Sequence, residues 1–282
     1  MNHTLTKNGL TLTVSAKGAE VCSLKGGERE WIWGGNPDVW GRHAPLCFPL
    51  CGKLKDGYFE LDGKRYEMGQ HGFARDLEHT LVEQSEDALH FRLESNADTL
   101  SRYPWNFRLD TVHTLTGNRL TTACTVTNAG DTPMPFQIGY HFAFALPESG
   151  TNVVKFRCPE EAVQVLTPGG LTGGTQPRFT GEREVVLHEH IFDDDSICLH
   201  GLKSDALRLE KADGTALEVR TEGFPYVLLW SKPGIPGFMC IEPWHGLPDA
   251  VDGDHDLFHR PAVTVLQPGE SFTATHTLTL FP

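Results

Sequence analysis

Four stretches of this chain hold more polar groups, aromatics, glycine and proline than an ordinary strand tolerates. They are His43-Ala44-Pro45-Leu46-Cys47-Phe48-Pro49-Leu50-Cys51-Gly52-Lys53, Gln70-His71-Gly72-Phe73-Ala74-Arg75, Gln137-Ile138-Gly139-Tyr140-His141-Phe142-Ala143-Phe144 and Ile241-Glu242-Pro243-Trp244-His245-Gly246. Glu242 follows the apolar run Met239-Cys240-Ile241 and precedes Pro243, and a carboxylate carried inward by such a run is costly without a partner or a task. His141 sits among aromatics, where an imidazole reads either as a hydrogen-bonded core group or as a proton carrier near neutral pH.

Other groupings point less clearly to chemistry. His188-Glu189-His190 with Asp193, Asp194 and Asp195, or Asp252, Asp254, His255 and Asp256, contain ordinary metal ligands. Neither has the H-E-x-x-H or D-x-[DN]-x-[DN]-G spacing, so both read as solvated acidic loops, and no metal or cofactor is expected. The seven cysteines are an odd number without a C-x-x-C pair, which suits reduced, mostly buried thiols. With 24 Lys+Arg against 37 Asp+Glu, the formal charge of −13 repels a phosphate backbone, so no nucleic-acid partner is expected. No stretch approaches the ~20 apolar residues of a membrane span, and Met1-Asn2-His3-Thr4 lacks a signal layout. The expectation is a cytoplasmic protein with no membrane contact, acting as a monomer or homodimer.

The elements that must position these groups read as strands. Thr4-Leu5-Thr6 and Leu10-Thr11-Leu12-Thr13-Val14 flank Asn8-Gly9, and Tyr58-Phe59-Glu60-Leu61 and Lys64-Arg65-Tyr66 flank Asp62-Gly63, two hairpins with turns that want positive φ. Leu89, Phe91 and Leu93 alternate with polar neighbours. Phe107 through Leu115 leads by Gly117-Asn118 into Leu120 to Val126, and Leu207 to Glu210 leads by Asp213-Gly214 into Ala216 to Val219. Tyr226-Val227-Leu228-Leu229-Trp230 and Phe272 to Leu280 complete the series. No window of helical length carries a clean i, i+3, i+4, i+7 stripe, so the chain reads as all-β, with stacked antiparallel sheets. The Gly/Pro-rich residues 167–181 fit either a linker or a long loop. A single domain over residues 1–282 is the reading preferred here.

Taken in order, the motifs resemble the aldose 1-epimerase (galactose mutarotase) family. The resemblance is nearest to a bacterial branch with W-x-R-x-A-P-x-x-F-P-x-x-G followed by H-G-F-A-R. Here these stand as Trp40, Arg42, Ala44, Pro45, Phe48, Pro49 and Gly52, then His71 to Arg75. The series continues through Tyr103-Pro104-Trp105, Gly139-Tyr140-His141, Phe192-Asp193-Asp194-Asp195 and Glu242-Pro243-Trp244 with Gly246 and Asp249, over residues 31–248. The resemblance implies a large antiparallel β-sandwich, the β-supersandwich, and interconversion of α- and β-anomers of a free sugar without a cofactor. It implies His141 as general acid toward the ring oxygen and Glu242 as base toward the anomeric hydroxyl. His71, Arg75 and one of the three aspartates, taken here as Asp194, would bind the sugar. Lys53 stands at a position where better-known relatives carry an arginine, and Trp244 and Trp105 offer flat surface to a pyranose. An imidazole tuned slightly above its ~6.5 reference and a carboxyl near its ~4.3 reference suit that division of labour, with the two charges reinforcing each other.

Two rival functions are consistent with the same residues. A hexose-6-phosphate 1-epimerase would need cations converging on a phosphate, for which Arg42, Lys53, Lys55 and Arg75 are available. A non-catalytic sugar-binding protein would be marked by loss of the histidine or the glutamate, and both are present.

Overall fold

A computed structural model describes residues 1–282. The two-residue turns behave as their residues dictate. Asn8 and Gly9 have φ of 52° and 77°, joining strand Asn2–Lys7 to Leu10–Ser15 with Lys7 opposite Leu10, and both positive values are what a type I′ hairpin turn requires. Asp62 and Gly63 do the same between Tyr58–Leu61 and Lys64–Glu67. Along Leu10–Ser15 and Phe107–Thr116, buried and half-buried residues alternate, because successive side chains point to opposite faces.

Two large antiparallel sheets form the body. The nine-stranded sheet runs, in spatial order, through Glu182–Val186, Val153–Glu160, Ala206–Glu210, Ala216–Arg220, Ser271–Phe281, Arg119–Asn128, Phe107–Thr116, Ala88–Glu94 and Thr80–Gln84. The site-bearing sheet runs through Gly174–Pro177, Val163–Leu166, Ile197–His200, Tyr226–Trp230, Phe238–His245, Ile138–Tyr140 and Leu46–Cys47, and Phe142–Ala145 also pairs with Phe238–His245. Between them lies a hydrophobic cluster of 59 buried residues reaching from Leu5 to Leu280. Tyr140 links the sheets directly, its hydroxyl donating to the carbonyls of Thr122 and Ala274 at 3.0 and 2.8 Å.

The all-β expectation holds. One short helix, Ala97–Arg102, is capped by Asn96, whose side chain accepts from the amides of Asp98 and Thr99. It is too short to show a periodic stripe. The Gly/Pro-rich residues 167–181 take part in the site-bearing sheet. They contain strand Gly174–Pro177, which pairs with Val163–Leu166 at the sheet edge, and Thr172 pairs with Ala250 in a parallel bridge. No helix is long and apolar enough to cross a membrane.

Candidate active site

Strand Phe238–His245 is buried along nearly its whole length, so both faces do structural work. Met239 and Ile241 enter the main core, whereas Cys240, Glu242 and Trp244 project from the opposite face, as period-2 geometry requires. On its neighbour, Leu228 lies opposite Glu242 and Trp230 opposite Cys240. On the other side Gly139 pairs with Trp244 and Phe142 with Ile241. The register is unchanged across the gap between those pairs, so His141 falls directly opposite Glu242. Pro243 has no N–H to give there, which is why the ladder breaks at the place the two functional side chains meet.

Backbone contacts bring the separated motifs together. Phe48 N–H donates to the His71 carbonyl at 3.2 Å, Phe73 N–H donates to the Phe48 carbonyl at 3.0 Å, and His71 N–H donates to the Gly52 carbonyl at 2.7 Å. His141 N–H donates to the Pro45 carbonyl at 3.2 Å. Glycine is required at two points. Gly72 has φ of 70°, and a Cβ on it would lie 2.2 Å from the Phe48 carbonyl oxygen. A Cβ on Gly139 would lie 2.4 Å from Cδ1 of Trp244, so its absence lets the indole lie across the sheet.

The result is a cleft of about 340 Å³, at the small end of the range for small-molecule sites. His141 Nε2 stands 3.3 Å from Oε2 of Glu242. Trp40 stacks on the imidazole, with ring centroids 5.1 Å apart, and Trp230 meets it edge-on. The Gly52 N–H donates to Nδ1 of His71 at 3.1 Å, which assigns the ring proton to Nε2 and leaves that nitrogen a donor. Arg75 is anchored by Nη2 donating to the Gln70 carbonyl at 2.6 Å and lies 3.8 Å from the carboxylate of Asp76. Four buried polar atoms among the lining residues have no partner: Arg75 Nε, His141 Nδ1, Glu242 Oε2 and Trp244 Nε1. Unpaired buried polar atoms are rare because each carries a desolvation penalty, and four around one cleft mark a site built for a polar ligand.

Burial sets the protonation of the pair. It pushes the Glu242 carboxyl well above its usual range, with Cys47 and Asp195 acting in the same direction. It pushes the His141 imidazole well below its usual range, with His71 and Arg75 adding to the effect. This corrects the expectation of an imidazole slightly above and a carboxyl near its reference value: desolvation disfavours both charged forms.

Comparison with known proteins shows the family and the fold. The Aldose 1-epimerase family model matches residues 1–279. The chain belongs to the aldose 1-epimerase family. It is an enzyme of the isomerase class with a galactose mutarotase-like fold. Among similar proteins is Protein LacX (chromosomal) of Lactococcus lactis subsp. lactis, 29% identical over 288 residues, covering 96% of each chain. The structure of a galactose mutarotase related enzyme from Lactobacillus acidophilus superposes with a TM-score of 0.94 at 29% identity, covering 100% of this chain and 98% of that one. A galactose mutarotase-like protein from Lactobacillus casei ATCC 334 gives 0.91 at 27% identity, covering 99% and 100%.

In this aldose 1-epimerase family member, His141, Glu242, His71, Arg75 and Trp244 all line the one cleft. Three expected residues do not. Asp194 is not among the lining residues, and Asp195, likewise exposed, borders the cleft instead, where its φ of 78° turns the chain. Lys53 is not among the lining residues. Its carbonyl accepts from Asp249 N–H and from Arg260, and its side chain runs beside Gly170, which itself lines the cleft. Trp105 is core, packed on Tyr103 and Phe59. The lining also includes Trp40, Arg42, Gln70, Trp230 and Lys232, to which the sequence reading gave no sugar-contact role. Trp40 and Arg42 stood in the first quoted motif, Gln70 precedes His71, and Trp230 and Lys232 follow from strand alternation beyond Leu228.

Proposed function

We propose that this protein interconverts the α- and β-anomers of a free aldose, with His141 as general acid and Glu242 as general base. The observation that carries this reading is the buried cross-strand His141–Glu242 pair at 3.3 Å, open to a cleft with unpartnered donors and acceptors. With Glu242 raised and His141 lowered by burial, the state in which the pair holds one proton is favoured over the doubly protonated and the proton-free states. That proton has two distributions. The reactive one is imidazolium with carboxylate, which burial makes the less populated of the two: in it Glu242 takes the anomeric hydroxyl proton as His141 gives one to the ring oxygen, and the C1–O5 bond breaks. The open-chain aldehyde then faces a neutral imidazole and a protonated carboxyl. After C1 turns about its bond to C2, reclosure by the reverse transfers gives the other anomer. No net proton enters or leaves, which suits a site shielded from water.

His71 Nε2–H and the Arg75 guanidinium supply donors for hydroxyls and for charge developing on oxygen. The indoles of Trp40, Trp230 and Trp244 offer apolar surface to ring C–H groups. A phosphorylated substrate has less support. Of the four cations that the sequence offers for a phosphate, Lys53 does not line the cleft and Lys55 donates to the Gly253 carbonyl at 2.8 Å, while Lys232 lines the cleft as a further cation. Arg42 and Arg75 both face Asp76.

The role assignment is tested with Glu242→Gln, which keeps shape but cannot accept the proton. Turnover is expected to fall at least ~100-fold with sugar binding largely kept. Near-normal turnover would overturn the assignment.

A further inference from the structure

The proposed acid–base chemistry leaves one close neighbour unused. Cys240 lies two residues before Glu242 on the same strand, opposite Ala143, which is two residues after His141. Its thiol, one carboxylate oxygen of Glu242 and one imidazole nitrogen of His141 lie within 4.8 Å of one another. These residues are 0%, 1% and 8% exposed, and Glu242 Oε2 and His141 Nδ1 have no hydrogen-bond partner. Three adjacent ligands on paired strands of a central sheet are held by the backbone rather than by loop conformation.

The dimensions favour one class of ion. Tetrahedral zinc, with bonds of ~2.0–2.2 Å to nitrogen and oxygen, sets an N···O edge of about 3.3 Å, and His141 Nε2 to Glu242 Oε2 measures 3.3 Å. A Zn–S bond of ~2.3 Å makes the two sulfur edges about 3.5 Å, so a side-chain adjustment on the order of 1 Å closes the set. A mixed N, S, O donor set suits borderline and soft cations and is unlike the all-oxygen shells of calcium and magnesium.

We propose that His141, Cys240 and Glu242 form a three-ligand site for a thiophilic divalent cation of the zinc class, with its fourth position open to the cleft. Binding displaces two protons to solvent, one from the Cys240 thiol and the one held by the His141–Glu242 pair, and commits both the imidazole and the carboxylate to the metal. Neither can then move a proton, so the bound ion is an inhibitor. The inhibition rests on the acid–base reading above, whereas the binding does not.

The test is a cadmium titration of the metal-stripped full chain, followed by the thiolate-to-cadmium charge-transfer absorption, with zinc as competitor. One equivalent is expected to give the band and zinc to remove it. Cys240→Ala and the volume-conserving Cys240→Ser should lose it, with zinc affinity reduced at least ~100-fold, since outer-shell partners alone cost 10–100-fold. Cys47→Ala should retain the band. Absence of the band in the parent protein, or its persistence in both Cys240 variants, overturns the site. Where anomer exchange is measurable, zinc should abolish it and a chelator restore it. Stoichiometric zinc binding without inhibition would leave the site standing and contradict the catalytic roles.

Discussion

Glu242 and His141 show what a residue type reveals and what only its surroundings decide. A glutamate between an apolar run and a proline, and a histidine among aromatics, are visible in the chain as groups placed where charge is expensive. Their protonation was not visible, because reference values describe solvated side chains and both groups are buried. Asp195 escaped for a different reason: inside a loop there is no period to count by, and its left-handed backbone turns the chain there. Lys53 illustrates a third limit. Its sequence position next to Gly52, which lines the cleft, does not say whether a long side chain reaches the lining or stops beside it at Gly170. Cys240 belongs with them, since its proximity to His141 arises from strand pairing between residues about a hundred positions apart.

At the level of elements, hairpins with Asn-Gly and Asp-Gly turns were legible almost to their ends, because turn chemistry and alternation agree there. The short strands Leu46–Cys47, Ile138–Tyr140 and Phe142–Ala145 were not. They are covered on both faces and so lack a two-residue period, and they are interrupted by the functional residues themselves. Strand pairing makes Gly139 the support of Trp244. Gly139→Ala adds a methyl 2.4 Å from the indole Cδ1 and must displace the ring. If Trp244 packs against the sugar, KM should rise about tenfold, roughly 1.4 kcal/mol, with kcat changed less. Steady-state kinetics on a variant checked for an unchanged fold measures this, and an unaltered KM would remove Trp244 from the binding surface.

For the whole molecule, the 59-residue cluster shared by both sheets gives the expectation of one cooperative unit over residues 1–282. Acid stability follows from histidines buried in that unit. Burial lowers His79 and His113 to about 4 and His276 to about 3. These folded-state values lie below the ~6.5 of an unfolded chain, so the unfolded state binds more protons as pH falls, and stability present above ~6.5 is lost on the way down. Each such histidine contributes a slope approaching ~1.4 kcal/mol per pH unit between its two values. Glu242 acts in the opposite sense, its raised value favouring the folded state at low pH, but it is one group against five, since burial lowers His141 and His245 as well. A single thermal transition whose midpoint drops steeply from pH 6.5 to 4 is expected. A midpoint flat over that range would show that these imidazoles are not held neutral.

The central claim is that one buried proton, shared between His141 and Glu242, opens and recloses a sugar ring. The most direct measurement is anomer interconversion by magnetisation-exchange NMR at neutral pH. It would use glucose, galactose, xylose, arabinose and glucose-6-phosphate, each against an enzyme-free control. Acceleration of at least one neutral aldose is predicted. Acceleration of the phosphorylated sugar alone, or of no sugar although binding is detected, would contradict it.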